Sequence, residues 1–157
     1  MAIPFQSIQK NPKWNMGYAE TATYISCPTI IPIDDTFPQN TEGDQILSAS
    51  ITTRNAASKV LVIVSVTGAG SGGGTWFSWA AFRDSVANAL EAAVNRPGGE
   101  LTTLTKAFED TPGSVGTFTY KVRAGSNTGT GYVNGSAGGR IYGGAVKSSI
   151  ILVELLP

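Results

Sequence analysis

The sequence predicts an all-β fold, a β-sandwich of jelly-roll size with about eight or nine strands in two sheets. Apolar and polar residues alternate with period two along most of the chain, which is typical of strands. Turn-forming segments that begin at Asn55, Asp84, Pro97, Thr111 and Gly125 separate these strand-like runs, the last four at intervals of 13–14 residues. The length of 157 residues is that of one ordinary domain. Together these observations favour a single sandwich domain.

The strand pattern takes two forms. Residues 47–52 and 118–124 alternate between apolar and polar side chains, as expected for strands with one buried face. Residues 59–66 (KVLVIVSV) and 75–83 (TWFSWAAFR) are apolar on both faces, which predicts strands that are covered on both sides. The last predicted strand, residues 149–156, also carries apolar side chains on each of its faces.

Four further segments show a weaker strand pattern, namely residues 24–27, 89–94, 101–108 and 132–133. Residues 85–95 (SVANALEAAVN) also allow a helix, because Ala and Leu favour helices and Ser85 has the chemistry of a helix cap. A short strand or turn is the alternative for this segment.

Composition excludes several classes of function. Without histidine the chain has no Ser-His-Asp or Cys-His arrangement and no imidazole metal ligand. The single cysteine, Cys27, forms no internal disulfide or Cys₄ zinc site, and its apolar neighbours predict a buried structural thiol. The 11 basic and 11 acidic residues balance, so nucleic acid is not expected as a partner. We therefore expect a protein that is not an enzyme and that uses no cofactor or metal.

A glycine-rich segment, residues 68–74 (GAGSGGG), contains a GxGxxG match. Dinucleotide binding needs a helix after such a motif, whereas residues 75–83 are strand-like. We predict instead a hairpin tip at one end of the sandwich. Its residues Gly70, Ser71 and Gly72 are the candidates for a surface that faces a receptor.

Two acidic clusters, Asp34-Asp35 and Glu42 with Asp44, allow two interpretations. Carboxylate pairs serve glycoside hydrolysis or calcium binding when they are held at the right separation. Acidic residues also cap and solvate loops, and the missing EF-hand spacing favours this second interpretation.

Targeting patterns point to synthesis in the cytoplasm. The start of the sequence, residues 1–14, shows no apolar stretch of signal-peptide length, so the formal glycosylation sequon at Asn134 lacks a secretory context. The longest apolar run, residues 60–64, is far shorter than the roughly 20 residues of a membrane span. We therefore expect no membrane insertion.

Residues 1–22 differ from the rest, which leaves residues 23–157 as the sandwich domain. Phe5, Trp14 and Tyr18 follow neither the strand nor the helix period. This segment is either a frayed terminus or an extended arm whose aromatic side chains anchor in a partner, since exposed Trp and Tyr are favoured interface anchors.

A second glycine-rich tract, residues 125–144, includes several larger side chains. Glycine within a strand pattern often marks the close approach of another backbone. We therefore predict that this tract packs against another subunit. The candidate interface residues are Tyr132, Val133, Arg140, Ile141 and Tyr142.

Five blocks of the chain resemble a family of tailed-phage and prophage virion proteins with a C1q/TNF-like jelly-roll domain. The blocks are residues 31–52 (IPIDDTFPQNTEGDQILSASIT), 80–90 (AAFRDSVANAL), 120–125 (YKVRAG), 132–144 (YVNGSAGGRIYGG) and 148–155 (SSIILVEL). They occur in the family's order and lie within residues 23–157. The resemblance implies a homotrimer that serves as a tail-fibre head or a capsid-bound knob, and it brings no catalytic residues.

These expectations combine into a non-enzymatic protein on the exterior of a tailed-phage virion, made in the host cytoplasm. We expect a trimeric capsid decoration protein that stabilises the shell by contacting the major capsid protein, since residues 1–22 show no repeat typical of a fibre shaft. The alternative is a tail-fibre or receptor-binding head that contacts tail proteins and a host surface receptor. In that case Trp76 and Trp79 are candidate sugar-stacking residues, unless both lie in the core.

Overall fold

The structure is a computed structural model, and it describes residues 14–96 and 99–157. The chain is all-β and forms a two-sheet sandwich, with 56% of the described residues in strands or β-bridges. The described residues form twelve strands. In chain order these are β1 (Met16–Thr21), β2 (Ile25–Cys27), β3 (Asp44–Thr53), β4 (Lys59–Ala69), β5 (Phe77–Arg83), β6 (Glu91–Asn95), β7 (Thr102–Asp110), β8 (Gly116–Ser126), β9 (Gly131–Val133), β10 (Gly135–Ser136), β11 (Gly139–Arg140) and β12 (Ser148–Leu155).

The strands are arranged in two main sheets. The six-stranded sheet has the order β1-β12-β4-β9-β2, and β7 also pairs with β4. The four-stranded sheet has the order β3-β8-β5-β6, and β10 and β11 form a small hairpin of their own. The pairings within these sheets are antiparallel, so period-two patterns place one face of each strand toward the core.

The predicted strands correspond to β2–β9 and β12, whereas β1, β10 and β11 were not predicted. The helix alternative for residues 85–95 is wrong, because Glu91–Asn95 is the strand β6 and pairs with β5. Ala93 lies in this strand opposite Trp79 and is buried in the core.

A single 3₁₀ turn, Tyr142–Gly144, is the one helical element in the described ranges. No helix there is long and apolar enough to cross a membrane.

Strand β1 corrects the predicted boundary of the arm. The sequence predicts an extended arm or a frayed terminus over residues 1–22, yet residues 16–21 pair with β12 along their full length, for example Tyr18 with Ile151. Gly17 allows this docking, because a Cβ atom at this position would lie 2.4 Å from the carbonyl oxygen of Ser50 on β3. The strand therefore closes the sandwich at a point where only glycine fits.

The core lies between the two sheets. Its largest fully buried side chains include Trp79, Tyr120 and Phe77 from the four-stranded sheet. The indole N–H of Trp79 donates to the Leu104 carbonyl oxygen at 3.0 Å, which ties β5 to β7 across the sandwich. Trp79 is thus a core residue, and its polar atom is satisfied as burial of an indole requires.

A second link between the sheets lies near the opposite end of β7. The Tyr120 hydroxyl donates to Asp110 Oδ2 at 2.6 Å, and Arg83 Nη1 lies 2.5 Å from the same oxygen. Burial and the hydrogen bond to Asp110 raise the pKa of Tyr120. The phenol therefore stays a hydrogen-bond donor and the carboxylate stays paired.

A buried asparagine joins the connection between β1 and β2 to the sheet. Asn134 has a left-handed φ of 58° and is fully buried. Its Nδ2 donates to the carbonyl oxygens of Thr21 and Thr23, and its Oδ1 accepts from Ser148 Oγ. The sequon at this residue is therefore a structural feature of the fold and lies away from the surface.

Candidate subunit interface

The outward face of the six-stranded sheet is apolar at its centre. On β12, Ile150 and Leu152 are fully buried, so the alternate residues Ile151 and Val153 point away from the core. On β4, Leu61 and Ile63 point outward in the same way and are partly exposed. Both strands were predicted to be apolar on each face, but the fold covers only one of these faces.

The strand register brings these outward residues side by side. Ile151 lies between Tyr18 on β1 and Ile63 on β4, while Val153 lies between Met16 on β1 and Leu61 on β4. Met16 and Tyr18 are 55% and 57% exposed. We call this surface the apolar sheet face, and it consists of Met16, Tyr18, Leu61, Ile63, Ile151 and Val153.

A polar row borders the apolar sheet face. Ser149 lies between Glu20 and Ser65 in the register, and the Ser65 hydroxyl is hydrogen-bonded to that of Thr105 at 2.9 Å. This border supplies hydrogen-bonding groups beside the apolar centre. An apolar core with a polar rim is the usual anatomy of a protein interface.

Glu20 holds a small charged network at this border. Its two carboxylate oxygens accept from Lys147 Nζ at 2.6 Å and from the Tyr18 hydroxyl at 2.5 Å. These hydrogen bonds, first that of Lys147 and then that of Tyr18, lower the pKa of Glu20. The carboxylate therefore remains ionised and orients the exposed Tyr18 ring.

Two of the three predicted docking residues lie in or near strand β1. Phe5 lies outside the described residues. Trp14 is 76% exposed and lies two residues before β1, and the side chain of the intervening Asn15 donates to the Thr52 carbonyl oxygen. Tyr18 belongs to the apolar sheet face. The structure thus places Trp14 and Tyr18 at the same edge of the six-stranded sheet.

The predicted interface residues of the tract 125–144 differ in exposure. Val133 is fully buried in the core, so its assignment to an interface is wrong. Tyr132 is partly exposed and stacks on Tyr24, with ring centroids 6.0 Å apart. Arg140, Ile141 and Tyr142 follow on the β11 side, where Tyr142 is 81% exposed in the 3₁₀ turn.

The glycines of this tract serve contacts within the chain. A Cβ atom at Gly131 would lie 2.9 Å from the carbonyl carbon of Gly125, and one at Gly135 would lie 2.4 Å from the Gly139 oxygen. The backbone that approaches is therefore the chain's own. Contacts within the chain therefore account for these glycines, and their presence is no evidence for a second subunit.

The predicted receptor-facing tip is a tight turn. Gly70 is buried, and a Cβ atom there would meet the Thr75 hydroxyl at 2.1 Å. Ser71 is exposed, while the Gly72 oxygen accepts from Thr75 Oγ1 at 2.6 Å. Trp76 is partly exposed just after this turn.

The remaining candidates, the acidic residues and Cys27, are held by contacts within the fold. Asp34 caps its own loop by accepting from the Thr36 N–H and hydroxyl, and Asp44 accepts from Thr29 in the same way. Burial, with a smaller contribution from Asp44, raises the pKa of Cys27 to about 12. Within residues 14–96 and 99–157, no group of three or more Cys, Asp or Glu side chains is placed to hold a metal ion.

Comparison with solved structures identifies the fold. The chain is similar to Eiger TNF from S. frugiperda, at 15% identity and a TM-score of 0.52, over 91% of this chain and 93% of that chain. The fold is a TNF-like jelly roll. This confirms the jelly-roll sandwich predicted from the sequence.

Two further structures match the jelly roll with lower TM-scores. Dimeric latent PorU from Porphyromonas gingivalis shows 8% identity and a TM-score of 0.39, over 90% of this chain and 13% of that chain. The C-terminal CBM6 of LamC from Zobellia galactanivorans shows 15% identity and a TM-score of 0.35, over 82% and 98%. No protein-family model and no curated protein sequence matches the chain.

Proposed function

We propose that this jelly roll is a trimeric capsid decoration protein on the exterior of a tailed-phage virion, where it stabilises the shell. The apolar sheet face carries the proposal, because it gives the protein a surface suited to self-assembly. The resemblance to virion jelly-roll domains supplies the trimer and the location.

Several features support assembly through this face. Ile63, Ile151 and Val153 are branched apolar side chains on a rigid sheet, so they lose little conformational entropy when a partner covers them. Removing them from water contributes roughly 25 cal/mol per Å² of apolar area. The low charge of the chain, 14% of its residues, fits a protein with much of its surface in contact with neighbours.

The first experiment measures the oligomeric state of the purified protein by light scattering. We expect about three times the 16.3 kDa chain mass for the wild type. Ile151→Asp places a charge at the centre of the apolar sheet face and should shift the mass to that of a monomer. Ser48→Asp, on the exposed face of β3, is the matched control and should remain a trimer. A wild-type monomer at micromolar concentration would contradict the proposal.

The second experiment tests shell binding. A deletion of residues 2–13 removes Phe5 but leaves Trp14 and β1 in place, so the jelly roll and the trimer should persist. We expect this variant to lose co-sedimentation with empty phage shells, because binding only to the assembled shell is how such a protein stabilises it. Equal binding by the deleted and full-length proteins would refute the role of Phe5 in docking.

A receptor-binding head is the second candidate function. The observation that favours it is Trp76, which is partly exposed at one end of the sandwich with the Arg96 guanidinium 5.9 Å from the ring centroid. Exposed Trp and Arg side chains are frequent in recognition surfaces. Purified protein that blocks phage adsorption to cells would favour this head, whereas labelling of the head lattice in virion images would favour decoration.

A further inference from the structure

A polar cleft of about 280 Å³ lies on the outward face of the four-stranded sheet. It lies between the loop that precedes β3 and the turn that follows β5. Its volume is close to the lower limit of small-molecule sites, roughly 300 Å³, which suits a single ring-sized group. Its polar and charged lining residues are Asn40, Gln45, Asp84, Ser85, Lys121 and Arg123.

Two basic side chains in this cleft form no ion pair with any acidic residue in the described part of the chain. Nine Lys and Arg residues lie in the described ranges, and five of them pair with carboxylates within 4 Å. Lys121 and Arg123 instead donate to main-chain carbonyl oxygens. Lys121 Nζ lies 3.0 Å from the main-chain oxygen of Asp84. Arg123 Nε lies 2.7 Å from the main-chain oxygen of Glu42, and Arg123 Nη2 lies 2.7 Å from that of Gly43.

These carbonyl contacts fix the cations without neutralising them. An Arg guanidinium has five N–H donors and a Lys ammonium has three, so most of their donors remain for a ligand. Arg123 is also held on β8, where the alternate residues Val122 and Ala124 are buried in the core. The cleft therefore presents two positioned positive charges before any ligand arrives.

An acidic side chain at the edge of the cleft supplies acceptors. Asp84 has a left-handed φ of 51°, its N–H donates to the Thr119 oxygen, and its Oδ1 accepts from the Thr119 N–H, each at 2.8 Å. The second oxygen, Oδ2, accepts no hydrogen bond from a described residue. Together with the exposed Gln45 amide, this oxygen suits the hydroxyl groups of a ligand.

We propose that this cleft binds one carboxylate-bearing sugar residue, such as a uronic acid of an acidic polysaccharide. Arg123 and Lys121 bind the carboxylate through charge-assisted hydrogen bonds. Asp84 and Gln45 bind ring hydroxyls. The negative charge of Asp84 disfavours a second anionic group, which selects a singly charged sugar over a sulfated one.

The site is independent of the proposed assembly. The apolar sheet face belongs to the six-stranded sheet, whereas the cleft lies on the other sheet and points away from it. A trimer formed through the first surface leaves the second accessible. A result that contradicts the proposed trimer therefore does not contradict the proposed uronate site, and the reverse also holds.

Calorimetric titration of the full chain tests the proposal. The probes are a glucuronic acid oligosaccharide, a neutral glucose oligosaccharide of equal length, a sulfated oligosaccharide, sodium acetate and an acidic peptide. We expect measurable binding of the glucuronic acid oligosaccharide and at least about 10-fold weaker binding of each other probe. Equal binding of acetate or of the acidic peptide would overturn the sugar assignment, as would equal binding of the neutral oligosaccharide.

Variants locate the binding site. Lys121→Gln removes a charge and keeps a donor, and should weaken uronate binding by about 10-fold or more. Lys106→Gln, on β7 of the other sheet, is the matched control and should leave binding unchanged. Asp84→Asn keeps the contact to Thr119 and tolerates the left-handed backbone, and should improve binding of the sulfated probe. Unchanged uronate binding by Lys121→Gln would refute the site.

Discussion

The buried carboxylate of Glu154 makes the stability of this jelly roll dependent on pH. Its side chain is fully inaccessible and accepts from the Arg54 N–H at 2.6 Å, Arg54 Nε at 2.7 Å, Ser58 Oγ at 2.8 Å and Asn15 Nδ2 at 2.8 Å. Burial alone would raise the pKa of Glu154, but the hydrogen bonds from Arg54, Asn15 and Ser58 lower it to about 2.

The direction and size of the effect follow from this shift. A carboxyl group with a folded-state pKa below its ordinary value of 4.5 contributes stability above pH 4.5, and this contribution disappears as the pH falls toward 2. The full shift corresponds to about 3 kcal/mol at roughly 1.4 kcal/mol per pKa unit. The Arg54 side chain is 44% exposed, so solvent screening reduces the expected contribution to about 1–2 kcal/mol.

Glu154→Gln isolates this contribution. Denaturant unfolding at fixed protein concentration is measured at pH 7, 5 and about 2.5 for the wild type and for the variant. We expect the variant to be less stable at pH 7 by about 1–2 kcal/mol and the difference to shrink toward pH 2.5. Glu109→Gln, which removes an exposed pair with Lys59, should change stability by less than about 1 kcal/mol at each pH. A difference for Glu154→Gln that stays constant with pH would refute the reasoning.

Two further substitutions and one thiol reaction test how the interior of the sandwich is packed. Gly17→Ala places a Cβ atom against the Ser50 oxygen and should lower the free energy of unfolding by about 1–3 kcal/mol, measured by denaturant unfolding. Ser78→Ala removes a buried hydroxyl that has no hydrogen-bond partner among the described residues, and should raise that free energy by about 1 kcal/mol. Cys27 should react with iodoacetamide only after unfolding, because a thiol with a pKa near 12 holds little thiolate at neutral pH.

The sequence pattern predicted the strands better than the surfaces. Residues 59–66 form a short, nearly continuous apolar run rich in β-branched side chains, so the existence of β4 follows from local information. Strand β1 could not be predicted in this way, because its inward residues are Gly17 and Ala19, which give no apolar alternation. Its strand conformation depends on pairing with β12, a contact distant in sequence.

The glycine-based argument for an interface at residues 125–144 is weak for a related reason. A glycine-rich tract signals a close backbone approach but does not say which backbone approaches, and here Gly131 and Gly135 face the chain's own residues. The proposed interface rests instead on the second apolar face of β4 and β12. Residues 59–66 were predicted to be covered on both sides, but the fold buries only the face that carries Val60, Val62, Val64 and Val66.

The two proposed surfaces together predict a multivalent particle. In the proposed trimer three uronate clefts face outward, and a polysaccharide long enough to reach more than one of them gains affinity through effective concentration. Ile151→Asp should therefore weaken binding of a long polyuronate while leaving binding of a single uronic acid unchanged. Lys121→Gln should weaken both, because it changes the cleft itself. An equal loss of affinity for both ligands in Ile151→Asp would show that the cleft depends on assembly. That result would contradict the placement of the cleft and the apolar sheet face on opposite sheets.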